Sequence, residues 1–316
     1  MNYRECAKFL REQDHILIVT HRDPDGDTAG SAAALCSALR RLGKEAWLLR
    51  NPGFTRKVLP YVEPYLAPEG FEPVCRVSVD VATERMFPEG FSGAVQLCID
   101  HHDTNSHYGE QELVRGEKSS CGEIVLEIIK CLCGNVTEEE ATLLYIAVTT
   151  DTGCFQYSNT SCQTLASASE LLRLGARQHE VSQTFFRKVS LARLQLEGMI
   201  YSGMGSYRGG KIVVAIITQD MIRRSGATKD DFDDLASLAG RAEGSVLNVT
   251  IREQEDGASR VSVRSNPGIS SSDICAAFGG GGHDMAAGCN IACPPEKARA
   301  LLLAVIDEVW PPEDGQ

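Results

Sequence analysis

Four short apolar runs, each ending in acid or histidine, limit what this chain can become. Residues 16–19 (ILIV) lead into His21-Arg22-Asp23-Pro24-Asp25-Gly26-Asp27. Residues 77–79 (VSV) stop at Asp80, and residues 95–99 (VQLCI) stop at Asp100-His101-His102. Residues 146–148 (IAV) are followed by Thr149-Thr150-Asp151. Short apolar runs bounded by turn residues read as buried strands. Helical stretches lie between them. Residues 28–42 are rich in Ala and Leu and are closed by Gly43. Residues 119–133 offer Ser119 and Ser120 as caps, with Glu123 placed for a capping box. Residues 138–148 begin as a helix, but Val148-Thr149-Thr150 reads as strand-like. Residues 45–49 supply another strand. The alternation predicts an α/β fold, a mainly parallel sheet with helices on both faces.

The remainder reads differently. Residues 160–202 predict successive helices, and the glycines of 203–210 a break. A strand at 211–218, a hairpin over 245–252 and 260–264, a helix at 271–278 and a final helix at 296–309 follow. A chain of 316 residues is long enough for two domains. The expected division is 1–190, a linker over 191–205, and a smaller C-terminal α/β domain over 206–316.

In an open parallel sheet, ligands gather at the carboxyl ends of the strands. His21, Asp25, Asp27, Asp80, His101 and Asp151 are therefore expected on one edge. So many carboxylates repel one another unless a cation sits among them. Oxygen donors with some imidazole and no thiolate suit Mn²⁺ or Mg²⁺. The set exceeds the needs of one ion, and two divalent ions about 3.5–4 Å apart, sharing a carboxylate, fit it better. That arrangement serves phosphoester hydrolysis. Taken alone, HRDPDGD reads as a turn followed by a helix cap; four acid-bearing ends in series favour metal. Spacing leaves both Asp23 and Asp25 open as the ligand.

A second motif, GGGGHDMAAG at 279–288, allows close backbone approach to a ligand. A helix starting near His283 would aim its N-terminus at the same place. Arg264, at a strand end, can pair with phosphate, although an ordinary surface arginine is the simpler reading. Net charge is −12, from 31 basic and 43 acidic residues, which argues against wrapping long duplex nucleic acid. The 12 cysteines form no CxxC pair and read as buried free thiols. The sequence shows no signal-peptide pattern and no apolar run long enough for a bilayer. A cytoplasmic location and no membrane partner are expected.

In this order the motifs resemble those of the DHH phosphoesterase superfamily. Asp100-His101-His102 matches the name-giving motif, His21-x-x-x-Asp25-x-Asp27 the first, and Asp80 and Thr150-Asp151 the second and fourth. Gly279 to His283 resembles the DHHA1 substrate-binding domain. Size and layout are similar to the nano-RNase (oligoribonuclease) and pAp phosphatase group. The resemblance implies that His21, Asp25 and Asp80 hold one ion, and that Asp27, Asp80, His101 and Asp151 hold the other. It implies that His102 contacts the scissile phosphate and that Asp100 orients a neighbouring histidine. Arg264, Gly280, Gly281, Gly282 and His283 are implied to grip the nucleotide end. Cys121 departs from the small hydroxyl-rich loop expected at 119–122, which bears on substrate preference. The expected function is metal-dependent hydrolysis of short oligonucleotides to mononucleotides, and of pAp, in a cleft between the domains. Hydrolysis of cyclic or linear dinucleotides is the alternative enzyme, and a non-catalytic nucleotide sensor the alternative of another class. A homodimer is compatible with the resemblance alone.

Overall fold

The computed structural model describes residues 1–232 and 234–311. Two compact units divide the chain, Met1–Lys188 and a second from Val189 onward.

The first unit runs α1 (Tyr3–Glu12), β1 (Ile16–Val19), α2 (Gly26–Arg41), β2 (Ala46–Leu48), the single turn α3 (Leu59–Val62), β3 (Cys75–Val79), β4 (Leu97–Asp100) and β5 (Gln111–Val114). Helices α4 (Cys121–Cys133), α5 (Glu138–Asp151), α6 (Cys162–Arg173) and the single turn α7 (Gln178–Val181) follow. The strands form one sheet in the order β2-β1-β3-β4-β5, and every pair is parallel. One sheet face, through Ile16, Ile18, Val77 and Val79, joins the main core with α2, α4 and α5. The opposite face carries a smaller cluster around Leu17 and Val19, covered by Phe71, Phe87 and Phe91 from the loops before β3 and β4.

Helices α2 and α5 approach closely because Gly30 has no side chain; a Cβ there would lie 2.3 Å from the Leu143 carbonyl oxygen. This approach brings the start of α2 beside the end of α5. The strand-like reading of Val148-Thr149-Thr150 is overturned, since α5 continues to Asp151. Thr149 and Thr150 donate their hydroxyls back to Tyr145 O (2.6 Å) and Ile146 O (2.8 Å), so the β-branched residues are accommodated inside the helix. The fourth acid therefore sits at a helix end rather than a strand end.

The second unit comprises α8 (Leu191–Ser202), β6 (Gly205–Tyr207), β7 (Ile212–Ile217), α9 (Gln219–Ser225), β8 (Leu247–Glu253) and β9 (Ser259–Ser265). It ends with α10 (Ser271–Ala276), β10 (Gly281–His283), β11 (Ala286–Ile291) and α11 (Pro295–Val309). Its six-stranded sheet has the order β10-β11-β9-β8-β7-β6; β7 and β8 are parallel and the other pairs antiparallel. The segment 191–205 is mostly helix α8, and its Leu196 and Ile200 are fully buried. No helix begins at His283. The glycine run instead enters β10, which reverses at 284–285 into β11, because the Ala286–Ile291 strand captures it by antiparallel pairing.

Candidate metal centre

The carboxyl edge of the parallel sheet gathers the acids. Asp25 is the N-cap of α2: its Oδ1 accepts from Thr28 N at 3.0 Å. Asp27 follows in the first turn and is buried. Asp80, just past β3, has φ +61°, a left-handed backbone that is strained for an aspartate. Asp100 ends β4, and Asp151 ends α5.

Ligand atoms of three groups lie within 4.8 Å of one another: His21, Asp25 and Asp80; Asp80, His101 and His102; and Asp27, His101 and Asp151. Asp80 belongs to two of them. His101 Nε2 lies 3.5 Å from Asp80 Oδ1 and 3.8 Å from both Asp27 Oδ2 and Asp151 Oδ2. His101 Nδ1 lies 3.2 Å from Lys118 O, so donation there leaves Nε2 as the acceptor facing the acids. Thr28 Oγ1 donates to Asp80 Oδ2 at 2.6 Å and lies 2.6 Å from His21 Nε2. Asp80 Oδ1 is buried and has no hydrogen-bond partner among the described residues. Such an atom is costly unless a cation meets it. The donor set and this orphaned oxygen together fit a divalent metal. Asp23 is apart from the cluster, with its side chain 87% exposed and 3.5 Å from Arg22 Nε.

The charges are shaped accordingly. Burial, then the charge of Asp25, raises the Asp80 carboxyl to about 6. Burial likewise raises Asp151 to about 6, with His101 pulling the other way. Asp27 is pushed well above the carboxylate range, first by burial and then by Asp80 and Asp151. His102 is raised to about 9, chiefly by its hydrogen bond to Asp100. Burial pushes Asp100 up, but the hydrogen bond and charge of His102 and the amide of Asn105 outweigh it, and the carboxyl is lowered. Asp100 Oδ1 meets His102 Nδ1 at 2.8 Å and the His101 N–H at 2.8 Å, while Oδ2 accepts from Asn105 Nδ2 at 2.6 Å.

Several contributors are invisible to spacing. Asp27 accepts from Cys121 N (2.7 Å), Gly122 N (2.9 Å) and Ser31 Oγ (2.9 Å), and so caps α4 from a distance of ninety-odd residues. The local capping box expected at Glu123 does not form. Glu123 accepts instead from Ser119 N and Oγ, and Ser120 Oγ has no hydrogen-bond partner among the described residues. Thr28 could have been found from its position three residues after an Asp cap; Asn105 and Lys118 left no comparable signal.

In the second unit, Ala286 pairs with both Arg264 and His283, so these three residues stand in one row on one sheet face. Arg264 and Gly281 to His283 are exposed. Gly280 lies tight against β11: a Cβ would come within 2.4 Å of Cys289 Cβ.

A parallel α/β unit with a carboxylate and imidazole centre on its strand edge, followed by a mixed-sheet unit, defines a class of metal-site proteins. Residues 15–148 match the DHH family, N-terminal domain, and residues 209–310 match the DHHA1 domain. The chain is 37% identical over 293 residues to the bifunctional oligoribonuclease and PAP phosphatase NrnA of Thermus thermophilus, covering 91% of this chain and 88% of that protein. It belongs to the DHH family, in the two-domain DHH–DHHA1 branch that includes the NrnA proteins. The fold is also similar to an exopolyphosphatase-related protein from Bacteroides fragilis, with TM-score 0.86, 22% identity, and 97% and 96% of the two chains covered. RecJ of Thermus thermophilus in complex with Mn²⁺ shares the fold at TM-score 0.54 and 15% identity, over 99% of this chain and 55% of that one. Among the described residues, no helix is long and apolar enough to cross a membrane.

Proposed function

We propose that this protein is a divalent-metal-dependent phosphoesterase that cleaves short oligonucleotides to mononucleotides and removes a phosphate from PAP. The observation that carries the reading is Asp80, whose unpartnered buried oxygen faces His101 while its carboxylate joins two ligand groups. Similarity over most of both chains to a protein named for these two activities supports it.

Two ions would share Asp80. His21, Asp25 and Asp80 would hold one; Asp27, Asp80, His101 and Asp151 would hold the other, with Mn²⁺ the favoured metal. When bound, such ions supply Lewis acidity toward phosphoryl oxygens and make water more acidic. The chain's own groups do the rest. Asp100 fixes the tautomer and orientation of His102 and holds a proton on its ring, so that Nε2–H can donate to a phosphoryl oxygen. Asn105 anchors Asp100 from behind. Arg264, Gly280, Gly281, Gly282 and His283 are proposed to contact the nucleotide, with Arg264 and His283 as phosphate donors.

Incubation of a dinucleotide RNA and of PAP with Mn²⁺, with Mg²⁺ and with chelator tests the reading. Mononucleotides and AMP released only with metal are expected. No hydrolysis of either substrate under any condition would overturn it, and turnover of cyclic dinucleotides alone would reassign the substrate.

A further inference from the structure

The sheet face opposite the helical core holds a pocket of about 620 Å³ that the metal centre does not use. Its floor is apolar: Leu17 of β1, Leu49 just after β2, and Phe91 from the loop before β4. Phe91 is a fixed platform, its ring 4.7 Å from that of Phe87, which in turn meets Tyr108 edge-on at 5.4 Å.

The walls carry three arginines, Arg22, Arg50 and Arg76, against two acids, Asp23 and Glu89. This local excess of positive charge stands out in a chain of net charge −12. Arg22 is engaged by Asp23 in an exposed pair, which is weak. Arg50 donates Nε to Ala67 O at 2.7 Å and has no ion pair among the described residues. Arg76 projects from β3 beside Leu17, its register partner. It is partly buried, and its guanidinium has neither a hydrogen bond nor an ion pair among the described residues. The guanidinium runs alongside Gly93, where a Cβ would lie 3.3 Å from Arg76 Cζ. A partly buried guanidinium without a neutralising partner among the described residues suits an anion. The volume exceeds the needs of a lone inorganic anion and falls in the range of small-molecule sites.

We propose that this pocket is a second ligand site that binds a phosphorylated nucleoside, with the phosphate on Arg50 and Arg76 and the base against Phe91. The inference rests on this pocket and not on the hydrolytic reading. The pocket also borders the metal centre through its wall. Asn51 donates Nδ2 to His21 O at 2.8 Å and to Thr20 Oγ1 at 3.1 Å, and accepts from Gly53 N at 2.9 Å. Its occupant is either a free mononucleotide or the terminal nucleotide of a short oligonucleotide, and the experiment separates the two.

Trp47 shares the apolar cluster with Leu17, Leu49 and Phe91 and reports on the floor. The chain has 2 tryptophans, so Trp310→Phe isolates its signal. AMP is titrated into the full-length Asp80→Asn, Trp310→Phe protein with chelator, which takes metal out of play. Saturable quenching is expected, with Arg50→Glu and Arg76→Gln each weakening it at least about tenfold. Arg50 is exposed, so its variant keeps the test valid if Arg76→Gln folds poorly; circular dichroism checks both. In the metal-loaded protein with Asp80 intact, selective loss of pentanucleotide over dinucleotide turnover in these variants would identify an oligonucleotide end as the occupant. AMP quenching lost in the variants with turnover at both lengths unchanged would identify the free mononucleotide. Absence of variant-sensitive AMP binding, together with unchanged turnover at both lengths, overturns the proposal.

Discussion

Replacing Asp80 with asparagine should stabilise the metal-free protein at neutral pH while destroying the site. Asp80 is fully enclosed, accepts from Thr28 on Oδ2, and has an unpartnered Oδ1. Its folded-state carboxyl is raised from 3.8 to about 6 by burial and by Asp25. A raised carboxyl contributes stability that is full below the unfolded value and is lost as pH rises through the folded one. The shift of about 2 units corresponds to about 3 kcal/mol by pH 7.5, at about 1.4 kcal/mol per unit. Asparagine keeps the acceptor for Thr28 and carries no charge, so the variant is spared this loss. For a unit of the size of Met1–Lys188, about 3 kcal/mol is about 6–12 °C in Tm.

Scanning calorimetry at pH 5 and 7.5, with chelator and with Mn²⁺, measures the effect. In chelator at pH 7.5 the variant should melt higher than the parent, and the gap should shrink towards pH 5. With Mn²⁺ at about a thousandfold excess over Kd the order should invert, because the ion binds only the folded parent and stabilises it by about 4.1 kcal/mol. A variant that melts at or below the parent in chelator at pH 7.5 would refute the argument that Asp80 is an uncompensated charge awaiting a cation.

Four other substitutions test separate parts of the structure. Asp100→Asn removes the charge that holds a proton on His102, and turnover should fall about 10–100-fold with metal binding retained, as read by kcat and Mn²⁺ titration. Gly30→Ala would place a Cβ 2.3 Å from Leu143 O and force α2 from α5, at a cost of about 1–3 kcal/mol read from the urea midpoint. Gly280→Ala meets Gly288 O at 2.3 Å, whereas a Cβ on Gly281 meets nothing within 4 Å. KM for PAP should therefore rise in Gly280→Ala and stay unchanged in Gly281→Ala; equal effects would contradict the proposed packing of the loop.

What the sequence discloses here, and what it hides, follows from how far each determinant reaches along the chain. Most of the parallel sheet is legible because β1 to β4 are short apolar runs, whereas β5 (QELV) has a single buried residue and gives no such run. The edge positions of Asp80 and Asp100 follow once the runs are read as strands. Asp151 is a harder case: Val148-Thr149-Thr150 favours a strand by local propensity, and the hydroxyl bonds that keep it helical require a helix already packed against α2. The start of α4 shows the same conflict more sharply. Ser119, Ser120 and Glu123 form a plausible local cap, yet the amides of Cys121 and Gly122 go to Asp27. A buried carboxylate repelled by Asp80 and Asp151 gains more from two helix-terminal N–H groups than a neutral serine hydroxyl would. Asp27 thus has a structural task and a proposed ligand task at once, and only the second leaves a pattern in the sequence. Its substitution should accordingly weaken α4 even when no metal is bound, which sets it apart from Asp80 although both are proposed to hold the same ion.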